Sequence, residues 1–323
     1  MKRISTLILI IVSLSAFGQK EINTIAFGSC AFQFTKQEIW PKIQMNNPDC
    51  WIWLGDNIYG DSEDINVIER KYSKLKANAY YQEFNSAQPV YATWDDHDYG
   101  SNNSGKDYPT KEASRLAFLN FFDEPSNSPR WDRPGVYTSY DLGEDEKSVK
   151  LILLDTRYNR QDPSPDGDVL GPEQWAWLEK ELKDNQATIT IIGSSVQFVS
   201  DDHGFETWGH FPRSRQRFIE LLGSTETKGA IFISGDRHLT EISLEKGTKA
   251  GFRLYDFTSS GLTHGIPKMF VNDSEKRIGE FYNKKNFGII NIDWDNRNLL
   301  LEAHNEDNAP VLGHIISFSE LGR

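Results

Sequence analysis

The stretch YATWDDHDYGSNN, residues 91–103, passes from a short apolar run directly into Asp95, Asp96, His97 and Asp98. A run of acids is by default a solvated loop. Here the position matters, because the same pattern of an apolar strand followed by polar residues recurs along the chain. Strands are expected at 22–28, 50–54, 89–93, 136–142, 149–154, 188–193, 229–234, 241–244, 253–258, 287–293, 298–303 and 311–318. Helices are expected at 36–46, 63–84, 111–122, 172–184 and 213–222. This alternation is that of an α/β protein. Past the strand ends come Ser29-Cys30, then Gly55-Asp56-Asn57-Ile58-Tyr59, then the acidic run itself. Asp155-Thr156-Arg157, Ser194, Ser195 and Gln197, and finally Gly235-Asp236-Arg237-His238 follow. Ligands of open α/β sheets bind outside the carboxyl ends of the strands. Six strands are therefore expected to deliver thiol, carboxylate, imidazole and guanidinium groups to one edge, with the acidic run as one wall of a site.

Carboxylates crowded in this way repel one another and are costly to ionise without a cation between them. Oxygen donors mixed with an imidazole and a thiolate suit a transition metal such as iron or zinc beside a harder ion. Two such ions about 3.5–4 Å apart activate a water and clamp a transferring phosphoryl group. Asp56, on the turn after a central strand, is placed to bridge them. Asp236 and His238, two residues apart, can serve one cluster.

The 323 residues are 38% hydrophobic and 25% charged, a globular composition of one large domain or two small ones. A net charge of −12 argues against nucleic acid or an anionic membrane as partner. Lys2 and Arg3 precede LILIIVSLSAF and then Ala16-Phe17-Gly18, which reads as a signal peptide over 1–18. The mature domain, 19–323, is then expected to be exported, periplasmic or secreted, and no later segment is long and apolar enough for a membrane span. Cys30 ends one strand and Cys50 opens the next. If the two strands are parallel neighbours, the sulfurs lie roughly 15 Å apart, beyond the ~7 Å Cα separation a disulfide spans. From 241 onward strands replace helices, which predicts a second, mostly antiparallel sheet packed on the first half. The polar loop 99–110 reads as a mobile rim.

GSC (28–30), GDNIY (55–59), TWDDHD (93–98), LGPEQWAWL (170–178), SSVQ (194–197), the Trp208–Arg215 run and GDRH (235–238) resemble the alkaline phosphatase D (PhoD-like) family of metallophosphoesterases. The resemblance covers most of the mature chain in order. It implies a four-layer α/β/β/α sandwich of the metallo-dependent phosphatase type. It also implies an exported phosphohydrolase in which a metal-bound hydroxide attacks phosphate esters, either small esters or phospholipid-type ones. Fe3+ and Ca2+ are the implied ions, with divalent pairs such as Zn2+ or Mn2+ also compatible. By motif, Cys30, Asp56 and Tyr59 resemble ligands of the iron-type ion, Asp56 the bridge, and Asp236 and His238 the closing ligands. Asp96 stands where related enzymes place an asparagine ligand, His97 where they keep the general acid, and Arg157 resembles an arginine that grips the phosphate. Three features depart from the pattern: the twin-arginine signal is absent, Gln197 stands where many relatives have histidine, and the run reads WDDHD rather than WDDHE.

Blander readings stand beside these. Cys30 would be a buried hydrophobe, Asp56 a turn former and Asp95 a loop cap. Tyr59 would be strand-end packing and Arg157 a partner of Asp155. Gln197 and His264 are further candidates for a supporting or substrate role. Trp208, Tyr99 and Trp131 read as packing, and His203, His210, His304 and His314 as non-functional. The rival from another class is a surface protein that uses Ca2+ to bind without catalysis, for which Cys30 and His97 are the wrong donors. A Cys30–His97 thiol hydrolase is a weaker third reading. No Gly-x-Ser-x-Gly elbow or P-loop is present.

Overall fold

Strands β1 (Thr24–Gly28), β2 (Cys50–Leu54) and β3 (Val90–Thr93) pair in parallel. Strand β2 is apolar on both faces, and its pleat sorts the two sets. Cys50, Ile52 and Leu54 point to one side and Trp51 and Trp53 to the other, all fully buried. These assignments come from a computed structural model that describes residues 21–271 and 273–323; the expected signal peptide, 1–18, lies outside the described residues.

Three packed interfaces define the layers. Trp51, Trp53 and Ala92 face a helical layer made of α1 (Ile39–Gln44), α2 (Ile65–Lys76), α3 (Ala79–Ala87) and, beyond the short α4 (Asp96–Tyr99), α5 (Lys111–Phe121). Ile52 and Leu54 meet the inner residues of a second sheet: β4 (Thr138–Leu142), β5 (Val149–Leu153), β6 (Ile189–Ser194), β7 (Ala230–Ser234), β8 (Thr240–Glu245) and β9 (Leu254–Ser259). The outer residues Ile152, Ile192 and Phe232 of that sheet pack under α6 (Gly171–Lys183) and α7 (Pro212–Ser224). The result is the expected α/β/β/α sandwich.

The C-terminal strands differ from expectation. They do not form a sheet of their own. β8 and β9 extend the second sheet, in the order β4-β5-β6-β7-β9-β8. The first sheet is completed by β10 (Asn286–Asp293), β11 (Asn298–Asn305) and β12 (Pro310–Ser317), in the order β12-β11-β10-β1-β2-β3. Each sheet is therefore mixed: parallel β1–β3 form one half of the first, and parallel β5, β6, β7 and β9 form the centre of the second, with antiparallel strands added to both. The edge expected to gather six strand ends is in fact a seam: β1–β3 and β5–β7 each bring three. The single helix expected over 63–84 is two, because Asn78 caps a new start with its side chain accepting from the Tyr81 amide. The register pairs Ile25 with Cys50, which leaves Cys30 beyond the far end of β1, and the two sulfurs are not joined.

Two local features hold the seam. Gly55 ends β2 at φ +97°, and a Cβ there would stand 2.3 Å from Asp95 Cβ, so the turns after β2 and β3 touch through a position only glycine fills. After β6, Gln197 donates to Glu241 (2.7 Å) and Thr258 (2.8 Å) and accepts from His203 Nε2 (2.8 Å). His203 Nδ1 accepts from the Phe205 amide at 3.2 Å. Burial, helped by the Arg237 charge, holds His203 down at about 4.

Gly55→Ala is expected to lower stability by about 1–3 kcal/mol in denaturant titration; an unchanged midpoint would show that the close approach is not tight. His203 gives a pH signature. Its folded value of about 4 lies below the ordinary 6.5, so its stabilising contribution is complete above pH 6.5 and drains away as pH falls toward 4. His203→Gln should flatten the thermal midpoint between pH 6.5 and 4, removing a slope worth up to about 3 kcal/mol.

Candidate metal centre

The turns after β1, β2, β3 and β7 each contribute one or more donors. Cys30, Asp56, Asp236 and His238 all take left-handed backbone, at φ 63°, 48°, 65° and 54°. This region is sparsely used by residues other than glycine, asparagine and aspartate, and such strain concentrates at functional sites. Cross-strand bonds fix the turns against each other: Cys30 N to Gly55 O (3.4 Å), Ala31 N to Asp56 O (2.9 Å) and Gly235 N to Ser195 O (3.1 Å).

The donors converge in three overlapping groups, the donor atoms within each lying within 4.8 Å of one another. These are Cys30, Asp56 and His238, then Asp56, Asp96 and His97, then Asp95, Asp96 and Asp236. Asp56 belongs to the first two and Asp96 to the last two, so the groups form one continuous cluster. Cys30 Sγ lies 3.4 Å from Asp56 Oδ2. Tyr59 Oη sits 3.1 Å from His238 Nε2 and 3.2 Å from His264 Nε2. The seven residues Cys30, Asp56, Tyr59, Asp96, His97, Asp236 and His238 are thus gathered, and His264 joins them.

The acidic run divides its labour. Asp98 faces inward, Oδ1 accepting from the Asp95 amide (2.7 Å) and Oδ2 from Asn57 Nδ2 (2.5 Å), and it closes the one-turn helix α4. Asp95 Oδ1 takes Arg157 Nε and Ser195 Oγ, both at 2.5 Å. Asp96 Oδ2 accepts the Asn103 amide at 2.6 Å, which ties the polar loop back to the cluster. His97 Nδ1 is bonded to Asp61 at 2.6 Å.

Arg157 differs from expectation. It is fully buried and is not among the residues that line the cavity over the donors. Its Nε is bound to Asp95, its Nη2 lies 2.7 Å from Glu206 and 3.9 Å from Asp96, and Asp155 meets its backbone amide instead. Gln197 points into the Glu241–Thr258–His203 network, away from the donors. Trp208 and Tyr99 are buried packing residues, whereas His210 lines the cavity. Asp61, Glu206, Arg160 and Asn103 escaped the sequence reading. They lie on loops without periodicity, and only the proximity of Asp61 to GDNIY hints at its role.

The electrostatics test whether a cation fits. Asp56 Oδ1 and Asp95 Oδ2 are buried without a hydrogen-bond partner, a costly state for carboxylate oxygens. Burial first, then the neighbouring carboxylates, pushes Asp56 and Asp236 well above the usual range. Burial and the Asp56 charge do the same to the Cys30 thiol. His238 is driven the other way, to about 3, by burial and by the charges of His264 and His97, so it stays the neutral imidazole a metal needs. Asp96 is held below the usual range in spite of burial, because Arg157, His97 and the Asn103 amide favour its anion. A bound cation relieves each of the first three penalties at once. The sulfur, nitrogen and oxygen donors therefore fit a metal centre.

The cavity above the cluster encloses about 800 Å³ and is walled by His97, Asn103, Arg160, Phe205, Glu206, Asp236, Arg237 and His238, among others. Among the described residues no helix is long and apolar enough to cross a membrane.

Known proteins share this architecture. Alkaline phosphatase D of Bacillus subtilis (strain 168) is 22% identical over 301 residues, covering 75% of this chain and 51% of that protein. The chain thus spans about half the length of that relative. The solved structure of PhoD superposes with a TM-score of 0.72 at 16% identity, over 93% of this chain and 69% of the other. Purple acid phosphatase PPD1 from yellow lupin (Lupinus luteus) seeds superposes with a TM-score of 0.66 at 14% identity, over 93% and 54%. At these identities the structures establish the fold. The model of the PhoD-like phosphatase family matches residues 66–299, most of the chain, and the chain belongs to that family.

Proposed function

We propose that the chain is an exported metal-dependent phosphohydrolase acting on phosphate esters, small or phospholipid-type. The observation that carries this is the continuous cluster in which Asp56 and Asp96 are each shared between donor groups beneath an open cavity. Cys30, Asp56 and His238 would hold one ion, with the Tyr59 oxygen beside them, and the thiol favours a transition metal such as iron. The oxygen-rich side, Asp56, Asp96 and Asp236 with Asp95, would hold a harder ion such as Ca2+. When bound, such ions supply an activated water and neutralise charge on the transferring phosphoryl group.

The chain's own residues do the rest. His97 is the proton donor to the departing oxygen. Burial alone would strip its proton, but the bond to Asp61 and the charges of Asp96 and Asp61 raise it to about 9, so it is charged at neutral pH. Asp61 also fixes the ring by holding Nδ1. Arg157 positions Asp95 and compensates its charge rather than meeting substrate. Export rests on the N-terminal sequence, Lys2-Arg3 followed by an apolar run. A calcium-only binding surface is opposed by the thiol and imidazoles among the donors.

Asp56→Asn should abolish tight metal uptake. It should cost more activity on an aryl phosphate than the 10–100-fold typical of losing an outer-shell partner, and remove the rise in thermal midpoint that added metal gives the wild type. Metal-replete wild type inert on mono- and diesters would sink the proposal, and calcium alone by elemental analysis would favour the binding surface. His97→Asn, compared at equal metal content, should lose about 10²–10⁴-fold on an alkyl ester and far less on a p-nitrophenyl ester, whose leaving group needs no proton. Equal losses on both would remove His97 from the acid role.

A further inference from the structure

With Arg157 buried against Asp95 and Glu206 and absent from the cavity wall, an anionic substrate must be met by another cation, and the wall offers Arg160 and Arg237. Arg160 lines the cavity, but its guanidinium is paired with Glu206 and bound to Asn103 O at 3.2 Å. Arg237 differs from both. It lies between the donors Asp236 and His238, and all three line the cavity. Its side chain is 3% exposed, yet its guanidinium makes no hydrogen bond or salt bridge to any described residue, and Nε is buried without a partner. An unmet buried donor of this kind is costly to the fold unless a ligand satisfies it. The group is also held in place: its guanidinium carbon lies over the Phe205 ring, 4.1 Å from the ring centroid, and the backbone is pinned by Arg237 N to Gly235 O at 2.8 Å. The Phe205 contact satisfies none of its N–H donors, which stay available for an anion, and a guanidinium suits paired contacts to phosphate oxygens.

We propose that Arg237, braced by Phe205, is the residue that binds the non-bridging oxygens of the substrate phosphoryl group, the task that the family resemblance implied for Arg157. The inference deepens the phosphohydrolase reading and rests on it. Lysine in its place would keep the charge but lose the planar fork and the stacking.

The test is calorimetric binding of inorganic phosphate to metal-loaded wild type, Arg237→Met and Arg237→Lys, with metal content measured on each sample and ester hydrolysis run in parallel. Arg237→Met keeps an apolar stem against Phe205. It should load metal as wild type does and bind phosphate at least tenfold more weakly, with kcat/KM falling in step. Arg237→Lys should fall between, and added guanidinium should partly restore Arg237→Ala. Phosphate affinity within threefold of wild type in Arg237→Met at full metal occupancy would overturn the inference while leaving the hydrolase reading intact. Wild type that binds phosphate through Arg237 but turns over no ester would sink the hydrolase reading and leave the inference standing. Wild type that binds no phosphate would sink the inference as well.

Discussion

Like charges forced into one dry seam set the terms for this molecule. Asp56, Asp95 and Asp96 are buried and Asp236 half-buried where the two sheets meet, and carboxylates so close cannot all ionise unaided. The protein answers half of the problem itself. Arg157 is bound to Asp95 and lies near Asp96, and His97 adds a second positive charge beside Asp96. Among the described residues no ion pair is made by Asp56, whose Oδ1 has no partner, or by Asp236, which feels Arg157 only through space. The division separates acids whose charge the fold has compensated in part, Asp95 and Asp96, from acids that it leaves without a cationic partner, Asp56 and Asp236. It also accounts for the burial of Arg157, whose charge is taken up by Asp95 and Glu206.

Much of the fold was legible because each strand is a short apolar run punctuated by glycine or acid. All twelve expected strands are present, and their alternation with helices gave the class. What could not be read was which sheet each C-terminal strand joins, since pairing partners such as β7 with β9 and β1 with β10 are distant in sequence. The break between α2 and α3 turns on the single side chain of Asn78, which periodicity does not register. Likewise α4 forms inside the acidic run because Asp98 accepts the Asp95 amide, a local bond that propensity alone does not favour.

The donor set was legible for a different reason: its members stand at fixed offsets from strand ends, where backbone direction determines side-chain placement. The residues that modulate them were not. Glu206 reaches Arg157 and Arg160 from a loop with no pattern. Without that carboxylate in view, Arg157 had no visible reason to turn inward, and only the contact geometry shows which arginines are spoken for.

Four of the donors hold left-handed backbone, so their positions are set by the main chain and by the facing of one sheet on the other. Cys30 and Asp56 ride on the first sheet, Asp236 and His238 on the second. An ion captured between them would act as a rivet through the sandwich. The two halves could not then slide without spoiling its coordination, and repacking the inter-sheet core at Ile52, Ile233 or Phe257 would retune which metal the site prefers.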